Sequence, residues 1–243
     1  MILFQLAVAA VAVVAGGIAS IAGFGIGSLL TPTVASQYGM KTAVAAVSIP
    51  HVIATLLRFW RLRAHVDRRV FLGFGLLNAG GALAGALVHV YVTSPVLGTV
   101  LGVLLIFAGL IGVVGLAGRM RFSGAAASIA GVLSGAFGGL VGNQGGIRSA
   151  AMLGLNVQGV SFVATATAIA LAVDAVRMPV YLATSSRQIF DAWPAVIAAV
   201  IGVVVGTVAG ERVLRRIPQK IFRRTVSALL LVIGILLLVV RPR

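Results

Sequence analysis

Long uncharged hydrophobic runs dominate the chain, and they are broken at intervals by charges, prolines and polar turns. An α-helix needs about 20 apolar residues to cross the hydrocarbon core of a bilayer, and most of the runs reach that length. The pattern therefore predicts an all-α integral membrane protein. The predicted helices cover residues 2–22, 27–37, 41–60, 69–92, 95–117, 123–141, 146–155, 158–183, 190–211 and 219–240.

Two of the predicted helices are too short to cross a membrane. At a rise of about 1.5 Å per residue, segments 27–37 and 146–155 reach only about 16 Å, against a hydrocarbon core of about 30 Å. Each follows a glycine-rich break, the first at Gly23–Gly27 and the second at Gly138–Gly146. Broken helices occur at membrane depth only where protein or a watery cavity surrounds them. We therefore expect each short helix to form a re-entrant hairpin with the helix before it.

The order of short motifs indicates that the chain contains two copies of one unit. Gly17–Ser20 (GIAS) resembles Gly131–Ser134 (GVLS), and later in each half Gly81–Gly85 (GALAG) matches Gly206–Gly210 (GTVAG). Repeats of this kind are common in transporters. The first repeat is predicted over 1–118, with hairpin 2–37 and helices 41–60, 69–92 and 95–117. The second is predicted over 119–243, with hairpin 123–155 and helices 158–183, 190–211 and 219–240.

Composition narrows the class of protein. The chain is 60% hydrophobic and 9% charged, whereas soluble domains carry about 25% charged residues. The net charge of +15 suggests membrane topology rather than nucleic acid, because nearly every Lys and Arg lies at the edge of a hydrophobic segment. The chain has no cysteine, which excludes disulfides and thiolate metal sites. Enzyme and metal-ligand motifs are also absent, so we expect neither an enzyme nor a cofactor or metal.

Basic residues also predict which loops face the cytoplasm. The turns at the opposite ends of the helices, at 36–41, 92–95 and 184–190, hold only Lys41 and Arg187 and are expected outside. Three crossings per half then place the second repeat upside down relative to the first, so that the hairpins enter from opposite faces. Segment 2–22 is nevertheless long enough to cross alone. The expected cytoplasmic residues form three basic clusters, at 58–69 (Arg58, Arg61, Arg63, Arg68, Arg69), 118–122 (Arg119, Arg121) and 211–224 (Arg212, Arg215, Arg216, Lys220, Arg223, Arg224).

This arrangement predicts an anion site where the two hairpin tips meet near the midplane. Both short helices point their N-termini at the meeting point, where free backbone N–H groups and the helix dipole favour negative charge. Close helix packing is the alternative explanation of the glycines, and we prefer it for Gly81, Gly85, Gly206 and Gly210. The candidate substrate-binding residues are Gly25, Gly27, Ser28, Thr31, Asn143, Gln144, Gly145, Gly146, Arg148 and Thr165.

Three ionisable residues within the hydrophobic segments carry the sharpest hypotheses. A guanidinium at Arg148 suits an oxyanion, although it could also extend to the cytoplasmic surface. Asp174 is the best candidate for a proton carrier, yet its i, i+3 spacing to Arg177 is equally typical of a structural ion pair. His51 is a second candidate for proton coupling, with helix packing as the alternative. The hydroxyl of Thr165 either faces the cavity or bonds back to its helix.

Four sequence strings resemble the sulfite exporter TauE/SafE family of permeases. They are Gly23–Gly27 (GFGIG) with Thr31-Pro32, His65–Asp67 (HVD), Gly142–Arg148 (GNQGGIR) and Phe162–Ile169 (FVATATAI). The resemblance runs from about Gly16 to Val240. It implies a multi-pass permease of the prokaryotic cytoplasmic (inner) membrane that moves sulfite, thiosulfate or organosulfonates, with proton coupling plausible. At Ile26 and Ser28 the chain departs from the family, which tends to have further glycines there.

The sequence therefore predicts a secondary transporter of small sulfur-containing anions that works by alternating access, through rocking of the two halves around a midplane site. A membrane-embedded assembly subunit that moves nothing is one alternative, and a passive anion channel is another. The expected partners are the anion, membrane lipid and, through the lipid-facing helices, a second copy in a homodimer.

Overall fold

The computed structural model of the chain describes residues 1–115, 124–155, 157, 159–214 and 218–240. All regular structure in these ranges is helical. The basic cluster expected at 118–122 lies outside the described residues, and the cluster at 211–224 lies partly outside them. The helices are α1 (Ile2–Ala22), α2 (Ile26–Tyr38), α3 (Met40–Leu62), α4 (Arg68–Val70), α5 (Leu76–His89), α6 (Ser94–Val114), α7 (Gly124–Val141), α8 (Gly145–Gly154), α9 (Gly159–Asp191), α10 (Trp193–Leu214) and α11 (Gln219–Val240).

Six helical segments of the described residues are long and apolar enough to cross a membrane by length and composition. Shorter apolar stretches lie in α10 and α11, at Trp193–Ala209 and Arg224–Val240. The chain is therefore an all-α integral membrane protein, as the hydrophobic pattern predicts. The six segments are Ile2–Ala22, Met40–His65, Arg68–His89, Ser94–Val114, Gly124–Val141 and Gly159–Asp191.

Helix boundaries follow the predicted segments closely over most of the chain. Both α1 and α11 begin and end at the predicted residues. The turn expected at 184–190 needs one correction: α9 is kinked at Ser185, where φ is −136° and ψ is 18°, but the residues after the kink are helical again up to Asp191. A polar residue just before the kink bonds to its own helix. The hydroxyl of Thr184 donates to the carbonyl of Val180 at 2.8 Å.

The two glycine-rich breaks end one helix and begin the next within a few residues. Gly23 and Gly25 have φ of 76° and 129°, and Gly142 has φ of 73°. Side chains strongly disfavour these backbone conformations, so glycine is required at all three positions. The breaks predicted from the sequence are confirmed. They separate α1 from α2 at residues 23–25 (the first tip) and α7 from α8 at residues 142–144 (the second tip).

The tightest helix pairs join early and late parts of the chain: α1 with α10, α5 with α7, and α6 with α11. Their backbones touch at glycines. A Cβ at Gly16 of α1 would lie 2.6 Å from the carbonyl oxygen of Val203 in α10. Gly81 and Gly85 meet carbonyls of α7 in the same way, and Gly206 meets the carbonyl of Val13. Close packing is thereby confirmed as the role of Gly81, Gly85 and Gly206, while the surroundings of Gly210 lie outside what the structure describes.

Candidate functional site

The two tips touch each other. Gly27, in the first turn of α2, packs against the carbonyl oxygen of Gly142 in the second tip. Reciprocally, Gly145 at the start of α8 lies against the side chain of Phe24 in the first tip, where an added Cβ would come within 2.5 Å of the ring. The two helix breaks predicted to meet are therefore in contact. Glycine is required at both positions because another chain segment occupies the space of a side chain.

Arg148 lies in the first turn of α8 and is 2% exposed. One terminal nitrogen, Nη2, donates to the carbonyl oxygen of Gly23 at 2.8 Å, so the side chain reaches from the second hairpin to the first tip. Its Nε and Nη1 are buried and have no hydrogen-bond partner. Extension to the surface is wrong for this residue, since its charged group lies inside the protein with two of its three nitrogens unsatisfied.

Several polar groups of the second hairpin surround this point. The Oδ1 of Asn143 accepts from the N–H of Gly145 at 3.4 Å, which caps the start of α8. Gln144 is 7% exposed and its Oε1 has no partner, while its carbonyl accepts from the hydroxyl of Ser134. Gly146 packs on Ala108 of α6. A small cavity lies beside these residues, lined by Leu104, Phe107, Asn143, Gln144, Gly146 and Ile147.

The first hairpin contributes two buried hydroxyl groups. Thr31 of α2 is 1% exposed, and its Oγ1 has no hydrogen-bond partner. It lies beside the second tip, where a Cβ at Gly142 would be 3.7 Å from that oxygen. Ser28 is also buried, at the first turn of α2. Gly25 supplies the backbone turn into α2 rather than a side chain. An unsatisfied hydroxyl and an unsatisfied guanidinium thus flank the contact between the tips.

A polar seam between α3 and α9 continues from this point. His51, Thr55 and Arg58 are spaced i, i+4 and i+7, so they share one face of α3. Opposite them, the Oδ2 of Asp174 lies 2.7 Å from the Nδ1 of His51. Asp174 is fully buried and the His51 side chain is 13% exposed. The two candidates for proton coupling, 123 positions apart in sequence, are therefore in direct contact.

Arg177 is bound on both sides of its guanidinium. Its Nε and Nη2 lie 2.9 Å and 2.7 Å from the Oδ1 of Asp174, as the i, i+3 spacing predicts. Its Nη1 donates to the carbonyl oxygen of Gly138 at 2.8 Å, in the last turn of α7.

The neighbouring carbonyls of α7 are also occupied. Tyr181 donates to the carbonyl of Gly139, and the Nδ1 of His89 lies 2.8 Å from that of Leu140. The last turn of a helix leaves carbonyls without intrahelical partners. These three side chains bind consecutive carbonyls there, of which that of Gly138 also accepts from the N–H of Gly142. This environment favours a structural role for Arg177.

Arg58 is the functional candidate that the sequence reading missed. It was placed with the cytoplasmic basic residues because it lies near the end of a hydrophobic segment, but it is 4% exposed. Its Nε donates to the hydroxyl of Thr167 at 3.1 Å, and its Nη2 is 3.5 Å from that of Thr55. Its Nη1 is buried without a partner. The i+7 spacing to His51 was the available signal, since it places Arg58 on the buried polar face of α3.

Thr165 of α9 lies next to the contact between α9 and the first tip. Its Oγ1 accepts from the backbone N–H of Asp67 at 2.8 Å, so it holds the loop that follows α3. Asp67 in turn caps α4 by accepting from the N–H of Val70. The next residue, Ala166, packs against Gly23 of the first tip. Thr165 therefore borders the site, and its hydroxyl oxygen is engaged by backbone.

The charges buried in the described part of the chain do not balance. Three guanidiniums are buried, of Arg58, Arg148 and Arg177, against one carboxylate, that of Asp174. Arg177 pairs with Asp174, which leaves Arg58 and Arg148 without a buried counter-charge among the described residues. No group of three or more His, Cys, Asp or Glu side chains in these ranges could hold a metal ion. The arrangement is suited to a negatively charged ligand.

Comparison with known proteins gives one match. The sequence model of the family "Sulfite exporter TauE/SafE" matches residues 8–237, which is nearly the whole chain and includes both tips, α3 and α9. No curated protein and no solved structure matches the chain.

Proposed function

The chain belongs to the sulfite exporter TauE/SafE family, a family of membrane transporters, and we propose that it moves small sulfur-containing anions such as sulfite, thiosulfate or organosulfonates across the prokaryotic cytoplasmic membrane. The anion binds between the two tips, against Arg148 and the hydroxyl and amide groups of Thr31, Ser28, Asn143 and Gln144. Lipid surrounds the helices, and a homodimer through lipid-facing helices is part of the proposal.

The observation that carries the proposal is the unsatisfied guanidinium of Arg148. A buried charge without a partner costs several kcal/mol, and a guanidinium presents a planar fork of donors that fits an oxyanion. In Arg148 that fork is only partly used, because Nε and Nη1 have no partner while Nη2 binds Gly23. An oxyanion at the tips would satisfy the free nitrogens and neutralise the charge together.

Proton coupling through His51 and Asp174 is the second part of the proposal. Histidine is a common proton carrier in proteins, because its imidazole can both accept and donate a proton. The contact of 2.7 Å between Nδ1 of His51 and Oδ2 of Asp174 allows one proton to be shared or passed between them. Because Asp174 also binds Arg177, which binds the end of α7, a change of charge at this pair would act directly on the second hairpin.

Alternating access by an inverted repeat is the proposed mechanism. The helix pairings support it, because exchanging the two predicted repeats maps α1 onto α7 and α5 onto α10. The contact of α1 with α10 is then the counterpart of the contact of α7 with α5, and α6 with α11 maps onto itself. Equivalent pairings are expected if the two repeats are related by a two-fold axis.

The proposal is tested by uptake of radiolabelled sulfite, thiosulfate and a sulfonate into proteoliposomes with an imposed pH gradient. The parent should show saturable flux that depends on the gradient. Arg148→Gln should lower anion affinity by about 10- to 100-fold, since a charge-assisted hydrogen bond contributes about 1.5–3 kcal/mol. The matched control is Arg69→Gln, which removes an exposed arginine from α4.

Flux in Arg148→Gln equal to that of the control would contradict the proposed site. Flux that does not saturate and ignores the gradient would instead indicate a passive channel. Absence of flux and of anion binding in the parent would favour the assembly subunit.

A further inference from the structure

Arg58 carries a charge that the described structure does not neutralise. Its two hydrogen-bond partners, Thr167 and Thr55, are neutral hydroxyls, and its Nη1 has none. Hydroxyls orient a guanidinium but supply no opposite charge. Because α3 is long and apolar enough to span a membrane, the cost of this residue has to be offset by something that binds to it.

Arg58 and Arg148 belong to one constellation. Arg148 lies within electrostatic range of Arg58, Asp174 and Arg177. The connection runs through α9, where one residue binds Arg58 and the residue before it packs against the glycine that binds Arg148. Ala166 packs against Gly23, whose carbonyl binds Arg148. The next residue, Thr167, binds Nε of Arg58. Consecutive positions of α9 are therefore linked to the two unsatisfied arginines, Thr167 directly to Arg58 and Ala166 through Gly23 to Arg148.

The charge balance of this constellation defines its ligand. With Asp174 ionised and paired with Arg177, two positive charges remain, one on Arg58 and one on Arg148. A monoanion would leave one of them buried and uncompensated, whereas a dianion neutralises both. Since an uncompensated buried charge costs several kcal/mol, the difference between these two states is large.

We propose that Arg58 is a second substrate-binding residue and that the site selects dianions, its two unsatisfied guanidiniums each compensating one negative charge of the ligand. This inference rests on the proposed anion site and adds to it a residue on α3 and a rule for ligand charge. Thiosulfate and other divalent sulfur oxyanions satisfy the rule. Sulfonates with a single negative charge do not, unless they carry a second acidic group.

Two probes of nearly equal shape test the rule. Thiosulfate and methanesulfonate share an SO₃ group, and the fourth substituent is a sulfur in one and a methyl group in the other, so the main difference is one unit of charge. Calorimetry on the purified full-length parent should show thiosulfate binding at least about tenfold more tightly, the effect of about 1.4 kcal/mol. Equal affinities in the parent would overturn the inference without the use of any variant.

The variants then locate the second charge. In Arg58→Gln, thiosulfate affinity should fall by about 10- to 100-fold while methanesulfonate affinity changes little, so that discrimination is lost. Arg58→Lys should retain the preference for thiosulfate, because it retains the charge without the fork. Arg69→Gln, on the exposed surface, should leave both affinities unchanged.

Other outcomes separate this inference from the proposed function. If Arg148→Gln weakens binding but Arg58→Gln retains the parent's discrimination, the second residue is wrong and the anion site stands. If neither probe binds the parent, the proposed function fails first. Should Arg58→Gln not fold, Arg58→Lys decides, since loss of discrimination in a folded variant that keeps the charge would contradict the charge rule.

Discussion

Contact between the two tips can be tested by adding one methyl group. In Gly145→Ala the new Cβ would lie 2.5 Å from Cβ and Cγ and 2.6 Å from Cδ2 of Phe24, whereas ordinary contact begins at 3.4 Å. The tips must therefore separate by 0.9 Å, the difference between 3.4 and 2.5 Å. The Phe24 atoms involved lie close to its backbone, so a change of rotamer alone does not remove the overlap.

The expected cost follows from this overlap. Adding a methyl group to a well-packed interior costs about 1–3 kcal/mol, which corresponds to a decrease in Tm of about 2–12 °C for a chain of this size. Anion affinity should fall as well, because Arg148 lies in the same turn of α8 and binds the carbonyl of Gly23 next to Phe24. Thermal unfolding in detergent and calorimetry with thiosulfate measure the two effects.

Two further variants make the reasoning refutable. Gly80→Ala is the matched control, since a Cβ at Gly80 meets nothing within 4 Å, and its stability should equal or exceed that of the parent. Phe24→Gly combined with Gly145→Ala should recover part of the loss, because it removes all three Phe24 atoms that the new Cβ would meet. If Gly145→Ala is as stable and binds as tightly as Gly80→Ala, the tips do not meet in the way described.

The remaining predictions concern coupling and topology. Asp174→Asn should abolish the dependence of flux on the pH gradient while anion binding stays measurable. The control is Asp191→Asn, which changes an exposed carboxylate. If flux in Asp174→Asn still depends on the gradient, Asp174 serves only as a packing partner of Arg177. Because the chain has no cysteine, single cysteines report topology directly. A cysteine that replaces Arg63 should be protected from an impermeant thiol reagent added outside intact cells, whereas one that replaces the exposed Ser186 should react with it. The reverse pattern of labelling would contradict the predicted orientation.

Most of the fold could be predicted from the sequence because the membrane imposes a simple rule on it. Apolar runs of bilayer length form helices, and glycines with positive φ end them, so α1 and α11 were located to the residue. The polar end of α9 was misplaced for the corresponding reason. A run of polar residues resembles a turn in sequence, yet here it only kinks the helix at Ser185, and the residues after the kink are helical again up to Asp191.

The site was predicted only in part because its electrostatics depend on pairings between distant helices. Arg148 and Asp174 stood out because each interrupts an apolar run. Arg58 did not, since an arginine near a helix end usually faces the surface. Its burial depends on how α3 packs on α9, where Thr167 receives it. The contact of His51 with Asp174 likewise could not be inferred from positions 123 residues apart.

The pairing of helices across the chain also determines what can move. Each hairpin is joined by backbone contact to a helix of the other predicted repeat, α1 to α10 and α7 to α5. A repeat that swung as a rigid unit would have to break these glycine contacts. Motion that preserves them would carry helices of both predicted repeats together, so the moving bodies of the proposed alternating-access mechanism would differ from the predicted repeats. Distance measurements between spectroscopic labels should therefore place one label on the pair α1 and α10 and the other on the pair α7 and α5. Labels placed one on each half of the chain would not separate these two pairs.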